Sequence, residues 1–263
     1  MNSIIPDPHT QQLRRECEIL GAELALLFTE HDVLVNTILP NIIADYQVKV
    51  GALELDKFSL EIEIRRLKKQ IALMQEALNH GRLPDMTEIH ARLDALMQEW
   101  QQQFDRKMEQ LEEAQYRLKN LGDTEFSAEI RKLYRELVLK LHPDITRRTD
   151  ERDAMLLQRA MAAYRIGDVE ELRALKLLVD STGEVQLPTQ SDELQKQKNL
   201  LKERIETMLL KIEEVKNGSV YQLSKKLESP EWLAEKHAEL HASIHELEVL
   251  KNNLSATADS MKP

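Results

Sequence analysis

A chain of 263 residues with 31% charged residues, 4% aromatics, 7 Gly and 8 Pro lacks the bulky aromatic content of a compact sheet-based core. That composition points to extended helices sharing thin apolar seams. The formal charge of −10 works against non-specific binding to nucleic acid or to an anionic membrane, since both need a cationic surface.

The single cysteine, Cys17, excludes an intrachain disulfide framework, suits a reducing compartment, and reads as a small buried apolar residue. The opening MNSIIPDPHT has neither a basic n-region nor an apolar core, and no segment approaches 18 uninterrupted apolar residues. A soluble, cytoplasmic protein is expected.

The first helix is expected from about Thr10 to His31, with Leu13, Cys17, Leu20, Leu24 and Leu27 spaced by threes and fours. Pro40 is expected to bend or restart the helix, after which a longer one runs to about Asn79. Its Leu60, Ile64, Leu67, Ile71, Met74 and Leu78 alternate steps of four and three, the period of a two-helix seam. Gly81 and Pro84 then signal a stop and a reversal. The helix from about Met86 to Leu121 carries Ile89, Leu93, Leu96 and Trp100, then Phe104 and Met108, where repeated steps of four imply a local change of supercoil. The two are expected to form an antiparallel hairpin, although pairing between two chains is left open by the periodicity.

Thr124 or Ser127 is a candidate N-cap for a region of short helices at about 126 to 141, 150 to 166 and 168 to 180. STGEVQLPTQ, residues 181 to 190, reads as a loop. Beyond it Leu194, Leu201, Ile205, Met208, Ile212 and Val215 form a further seam. Ser229 and Pro230 open a last helix with Leu233, Leu240, Ile244, Leu247 and Leu254 on its seam, and the two are expected to pair as a C-terminal hairpin. The tail SATADSMKP is expected to fray.

The stretch that carries chemistry is YRELVLKLHPDITRR, residues 134 to 148. Ile130, Leu133, Leu137, Val138 and Leu141 face one way on its helix, while Arg131, Lys132, Arg135 and Lys140 occupy the other faces. Pro143 disfavours helical geometry at His142, so His142 and Asp144 are expected at an exposed turn. Residues 131 to 148 hold six Lys or Arg against Glu136 and Asp144, a net of +4 within an acidic chain.

EIRKLYRELVLKLHPD resembles the second helix and loop of a J-domain, the module of the DnaJ-like co-chaperones. LQRAMAAYRIGD is similar to that family's third helix through Leu157, Ala160, Ala163 and Tyr164, and the LRAL with Arg173 and Ala174 falls where a short fourth helix would lie. The resemblance spans roughly residues 118 to 180. Glu136 stands where the family is usually basic, Leu141 where it is usually aromatic, and of its first helix only Leu121 and Gly122 are echoed. The flanks, with YQVKVGALELDKFSLEIEIRRLKKQI, resemble bacterial J-domain-containing coiled-coil proteins of unassigned role.

Composition and periodicity give an all-α protein, with residues 1–121 a first helix and long coiled-coil hairpin and 191–255 a C-terminal helical hairpin, and the resemblance makes 122–180 a J-like domain. It implies that the chain stimulates ATP hydrolysis by a DnaK-like, seventy-kilodalton heat-shock chaperone and is itself no enzyme. In that role Arg131, Lys132, Arg135, Lys140, Arg147 and Arg148 steer encounter, while His142, Pro143 and Asp144 carry the switch. The coiled coils would then serve a client protein, a partner or self-association. The alternative is a coiled-coil scaffold whose J-like region stimulates nothing.

Other constellations are weaker. His237, His241 and His245 stand at i, i+4 and i+8, but no cysteine assists and His237 lies on the apolar seam, so a partly solvated helix face is expected rather than a metal. RRLKKQ, residues 65 to 70, lies among Glu61, Glu63 and Glu76 and reads as an ion-paired face rather than a nucleic-acid site. No glycine-rich phosphate loop or nucleophile elbow is present, and no cofactor is expected.

Overall fold

In the computed structural model, residues 7–120, 124–148, 150–181 and 190–262 are described, and among them there is helix but no strand. The chain is all-α. Its contacts form two compact units, each assembled from two stretches of sequence: Met1–Pro40 with Leu121–Gln222, and Asn41–Asn120 with Leu223–Pro263. This grouping differs from the linear division at 121, 180 and 191, because each unit recruits a C-terminal helix to cover an N-terminal one.

In the first unit, α1 (Pro8–Val33) starts at Asp7, whose carboxylate accepts from the backbone N–H groups of His9 and Thr10, with Pro8 in the first turn where no N–H is needed. Leu13, Cys17 and Leu24 are buried along one face. Two further helices cover that face. α9 (Ser191–Asn217) runs parallel to α1, with Lys198 on Glu16 at 2.5 Å and Lys216 on Glu30 at 2.7 Å, and buries Leu194, Leu201, Ile205, Met208 and Ile212. α5 (Thr124–Leu141) runs antiparallel to α1, since Tyr134 meets Asp32 near one end of the contact and His142 meets Phe28 further along it.

A short turn of helix, α6 (Pro143–Thr146), leads on to α7 (Glu151–Ile166) and α8 (Val169–Asp180), which fold back on α5 and enclose Leu156, Ala160, Leu172 and Leu175. Gly167 ends α7 in the left-handed region at φ 75°, where its N–H reaches back to the Tyr164 carbonyl. Asp168 then caps α8 by accepting from Glu171 N–H at 2.9 Å. These helices fall within a residue or two of the expected positions. The N-cap candidates Thr124 and Ser127, the pair Leu121 and Gly122, and nearly all of the 181–190 loop lie outside the described residues or side chains.

Near Pro40, expected to bend or restart the helix, the α-helical bonding is interrupted and then resumes. A π-helical turn, Leu34–Ile38, precedes α2 (Leu39–Tyr46), and Pro40 is the second residue of α2. The wider turn has Leu39 N–H donating to the Leu34 carbonyl, a local change of bonding of the kind that accommodates a residue without an N–H.

In the second unit, a further π turn, Gln47–Gly51, opens into α3 (Ala52–Asn79), and Gly81 at φ 71° and the Asp85 cap separate it from α4 (Met86–Lys119). The contacts between α3 and α4 run in opposite directions along the two: Glu76 with Arg92, Arg66 with Asp94 at 2.7 Å, and Phe58 with Trp100. The α4 seam is Ile89, Leu93 and Met97; Leu96, expected on it, is 54% exposed. Its steps of four therefore begin before Trp100, earlier than the sequence pattern placed them.

The expected C-terminal hairpin is not formed. After α10 (Ser219–Leu227), Ser229 caps α11 (Pro230–Ser260), which packs on α3 rather than on α9. α11 runs parallel to α3, with His237 at the Lys49 carbonyl and Lys251 on Glu63 at 2.6 Å. The tail, expected to fray, stays helical to Ser260 because Ala258 is buried and Met261 packs on Met74, Ile89 and Leu93.

Candidate functional site: the His-Pro-Asp turn

The helix leading to the turn has the amphipathic division read from its sequence. Ile130, Leu133, Leu137, Val138 and Leu141 are all buried, and Tyr134 joins them, stacked on Tyr164 of α7 with ring centroids 4.4 Å apart. Burial, together with the neighbouring Asp32 carboxylate that accepts its O–H, pushes the Tyr134 hydroxyl well up from its ordinary range. Burial alone is the main cause for Tyr164, which rises to about 12.

The basic residues of α5 separate into three groups. Lys132 points outward and is exposed. Arg131 and Arg135 line a groove of about 520 Å³ together with Lys216, Glu30 and the apolar Leu26 and Val33. Lys140 is tied to Asp180 of α8 at 2.5 Å, and Glu136 pairs with Lys176 of the same helix. These two cross-links fasten α8 to α5.

At the turn, His142 has extended backbone geometry (φ −71°, ψ 126°) and caps α6: its Nδ1 accepts from Asp144 N–H at 3.2 Å, and its carbonyl accepts from the N–H groups of Ile145 and Thr146. Pro143 fills the first helical position, where its missing N–H costs nothing. Arg147 ends the segment in the left-handed region at φ 57°, an uncommon position for a residue with a side chain. Arg147 and Arg148 follow at the surface.

The turn is not open as expected. Of its three residues only Pro143 is exposed. The His142 ring lies on Phe28 of α1 with centroids 3.9 Å apart and planes tilted by 32°, and burial draws its pKa below the ordinary value against the pull of Asp144 and Asp32. Asp144 forms an ion pair with Arg204 of α9 at 3.6 Å. Behind it Gln197 Nε2, buried, donates to the Ile145 carbonyl at 3.1 Å, and α1 comes so close at Gly21 that a Cβ there would stand 3.4 Å from Ile145.

Phe28, Gln197 and Arg204 were not picked out from the sequence. Each sits on a helix whose seam explains its neighbours, and nothing local marks the three as meeting residues 142 to 145.

Elsewhere, His237 is bonded to the Lys49 carbonyl while His241 and His245 are exposed, and no group of three His, Cys, Asp or Glu among the described residues is placed to hold a metal. In the basic run of α3, Arg66 pairs with Asp94 and Arg65 lies 3.9 Å from the centre of the Trp100 ring. Among the described residues no helix is long and apolar enough to cross a membrane. Comparison with protein-family models, with curated proteins and with solved structures finds no match to the chain.

Proposed function

We propose that this chain is a J-domain-type co-chaperone that binds a bacterial, DnaK-like heat-shock ATPase and stimulates its ATP hydrolysis, performing no bond chemistry of its own. The observation that carries the reading is the packing of α7 back onto a basic α5 across a His-Pro-Asp turn, with Tyr134 stacked on Tyr164. Arg131, Lys132 and Arg135 supply the positive face that steers encounter with an acidic partner surface, and Arg147 and Arg148 extend it past the turn. Asp144 is the group that meets a cation of the partner. The long helices of the second unit serve a client protein or self-association, and the solitary buried Cys17 suits the cytoplasm.

Single-turnover ATP hydrolysis by such an ATPase, titrated with wild type, Asp144→Asn and His142→Gln, tests this. Stimulation by wild type that is lost in Asp144→Asn, with the helical circular-dichroism signal unchanged, is the expected result. No stimulation by folded wild type would overturn it.

A second reading is supported by the covering of the turn: with His142 against Phe28 and Asp144 against Arg204, the J-like region serves as a packing element of an assembly scaffold. That reading expects no stimulation and self-association that Asp144→Asn leaves unchanged.

A further inference from the structure

We propose that α9 carries a built-in latch on the His-Pro-Asp turn, in which Arg204 occupies the Asp144 carboxylate that the partner's cation must reach. The proposal rests on the co-chaperone reading above and names how that site is regulated.

Three observations lead to it. Arg204 stands 3.6 Å from Asp144, with 47% of its side chain exposed against 29% for Asp144, so the arginine can swing into solvent without any helix moving. Gln197 lies seven residues earlier on α9, hence on the same helix face, and it fixes the register of that face on the turn by donating to the Ile145 carbonyl. The Gln197 side chain is 2% exposed, and its own Oε1 has no hydrogen-bond partner among the described residues. A buried amide with one end unsatisfied is destabilising compared with an apolar side chain of similar size, so its presence is explained by what its other end holds.

Among the described residues, Asp144 donates its N–H to the His142 ring and pairs its carboxylate with Arg204. His142 is turned onto Phe28, and Arg204 is the cation paired with the carboxylate that a partner must displace. An ion pair this exposed is weak, and weakness is what a displaceable latch requires: it lowers affinity for competing cations without abolishing binding.

The test is the concentration of full-length protein giving half-maximal stimulation of the DnaK-like ATPase. Arg204→Ala is expected to lower that concentration roughly two- to five-fold, the span of an exposed ion pair. Arg204→Lys, which keeps the charge, is expected to stay near wild type.

Stimulation by wild type with no gain in Arg204→Ala overturns the latch and leaves the co-chaperone reading standing. A gain in Arg204→Lys as large as that in Arg204→Ala overturns the latch as well, since the charge paired with Asp144 would then not be what holds the turn. Absence of stimulation by every folded variant overturns both. Helical circular dichroism and the urea midpoint of each variant separate a lost latch from a lost fold.

Discussion

The two units are built on one plan and filled differently. In each, a long N-terminal helix is flanked by an antiparallel helix from the middle of the chain and a parallel one from its C-terminal part: α1 with α5 and α9, α3 with α4 and α11. The first unit adds α7 and α8, which close over α5 and give a continuous core from Leu13 to Ile212. The second adds no such pair of helices; its buried cluster is Met74, Ile89 and Leu93, with Ile64 and Val50 buried separately and most other apolar residues of α3 half-covered. Two short helices turn a seam into a core, and it is on the unit with the core that the His-Pro-Asp turn is held in a defined conformation.

The sharpest way to break this comparison is to cut the same methyl groups from each unit. Leu172→Ala in the first and Leu93→Ala in the second both truncate a fully buried leucine. The first is expected to cost about 4 kcal/mol and the second about 2, because a seam between helices collapses onto a small cavity more readily than an enclosed core does. Urea unfolding, with hydrogen exchange assigning the loss to a unit, checks this, and equal losses would sink the distinction.

Tyr134→Phe comes next. It leaves the Asp32 carboxylate without its O–H donor and is expected to cost about 1.5 kcal/mol at neutral pH. The raised tyrosines also set an alkaline limit. Both states are protonated below about pH 10, and above it the unfolded chain ionises first, so stability falls as pH rises, by up to about 1.4 kcal/mol per pH unit for each tyrosine. For Tyr164 the fall runs from about pH 10 to about 12. Tyr134 and Tyr164 place two such groups in the first unit, whereas Tyr46, raised to about 12 by burial and its bond to Glu54, is their counterpart in the second. Unfolding free energies between pH 9 and 11.5 are expected to fall less steeply in Tyr134→Phe.

A smaller effect belongs to the turn. The pKa of His142 is lowered by burial, so the stability it carries is complete above the unfolded value near 6.5 and is lost as pH falls through the lower folded value. His142→Gln is expected to remove that acid-side slope, measured as the urea midpoint between pH 7.5 and 5. Smallest of all is Arg65→Ala in the second unit, expected to cost about 0.5 kcal/mol by thermal unfolding, since it removes one exposed cation from the face of Trp100.

Much of the local structure was legible in the chain. The α5 stripe of Ile130, Leu133, Leu137, Val138 and Leu141 and the cap at Ser229 are written in residue types and spacings that act within a few positions. Pro40 signalled a change in the helix near residue 39, but the π geometry that precedes it has no residue signature. The alternation of threes and fours on α3 was real, yet it could not say that α3 would be covered from two sides, which leaves Leu60, Leu67 and Ile71 half-buried.

By itself, then, the sequence determined that this protein is helical, where most of its helices begin and end, and that a basic helix runs into His142, Pro143 and Asp144. Those properties follow from short-range forces: capping, periodic burial and backbone restriction. The tertiary structure decided which seam meets which, that α9 serves α1 and α11 serves α3, and that Phe28 and Arg204 close on the turn. Apolar seams are interchangeable to first order, since burial is non-directional and one stripe of leucines fits another. The choice among partners is made only when the whole set of helices is packed at once.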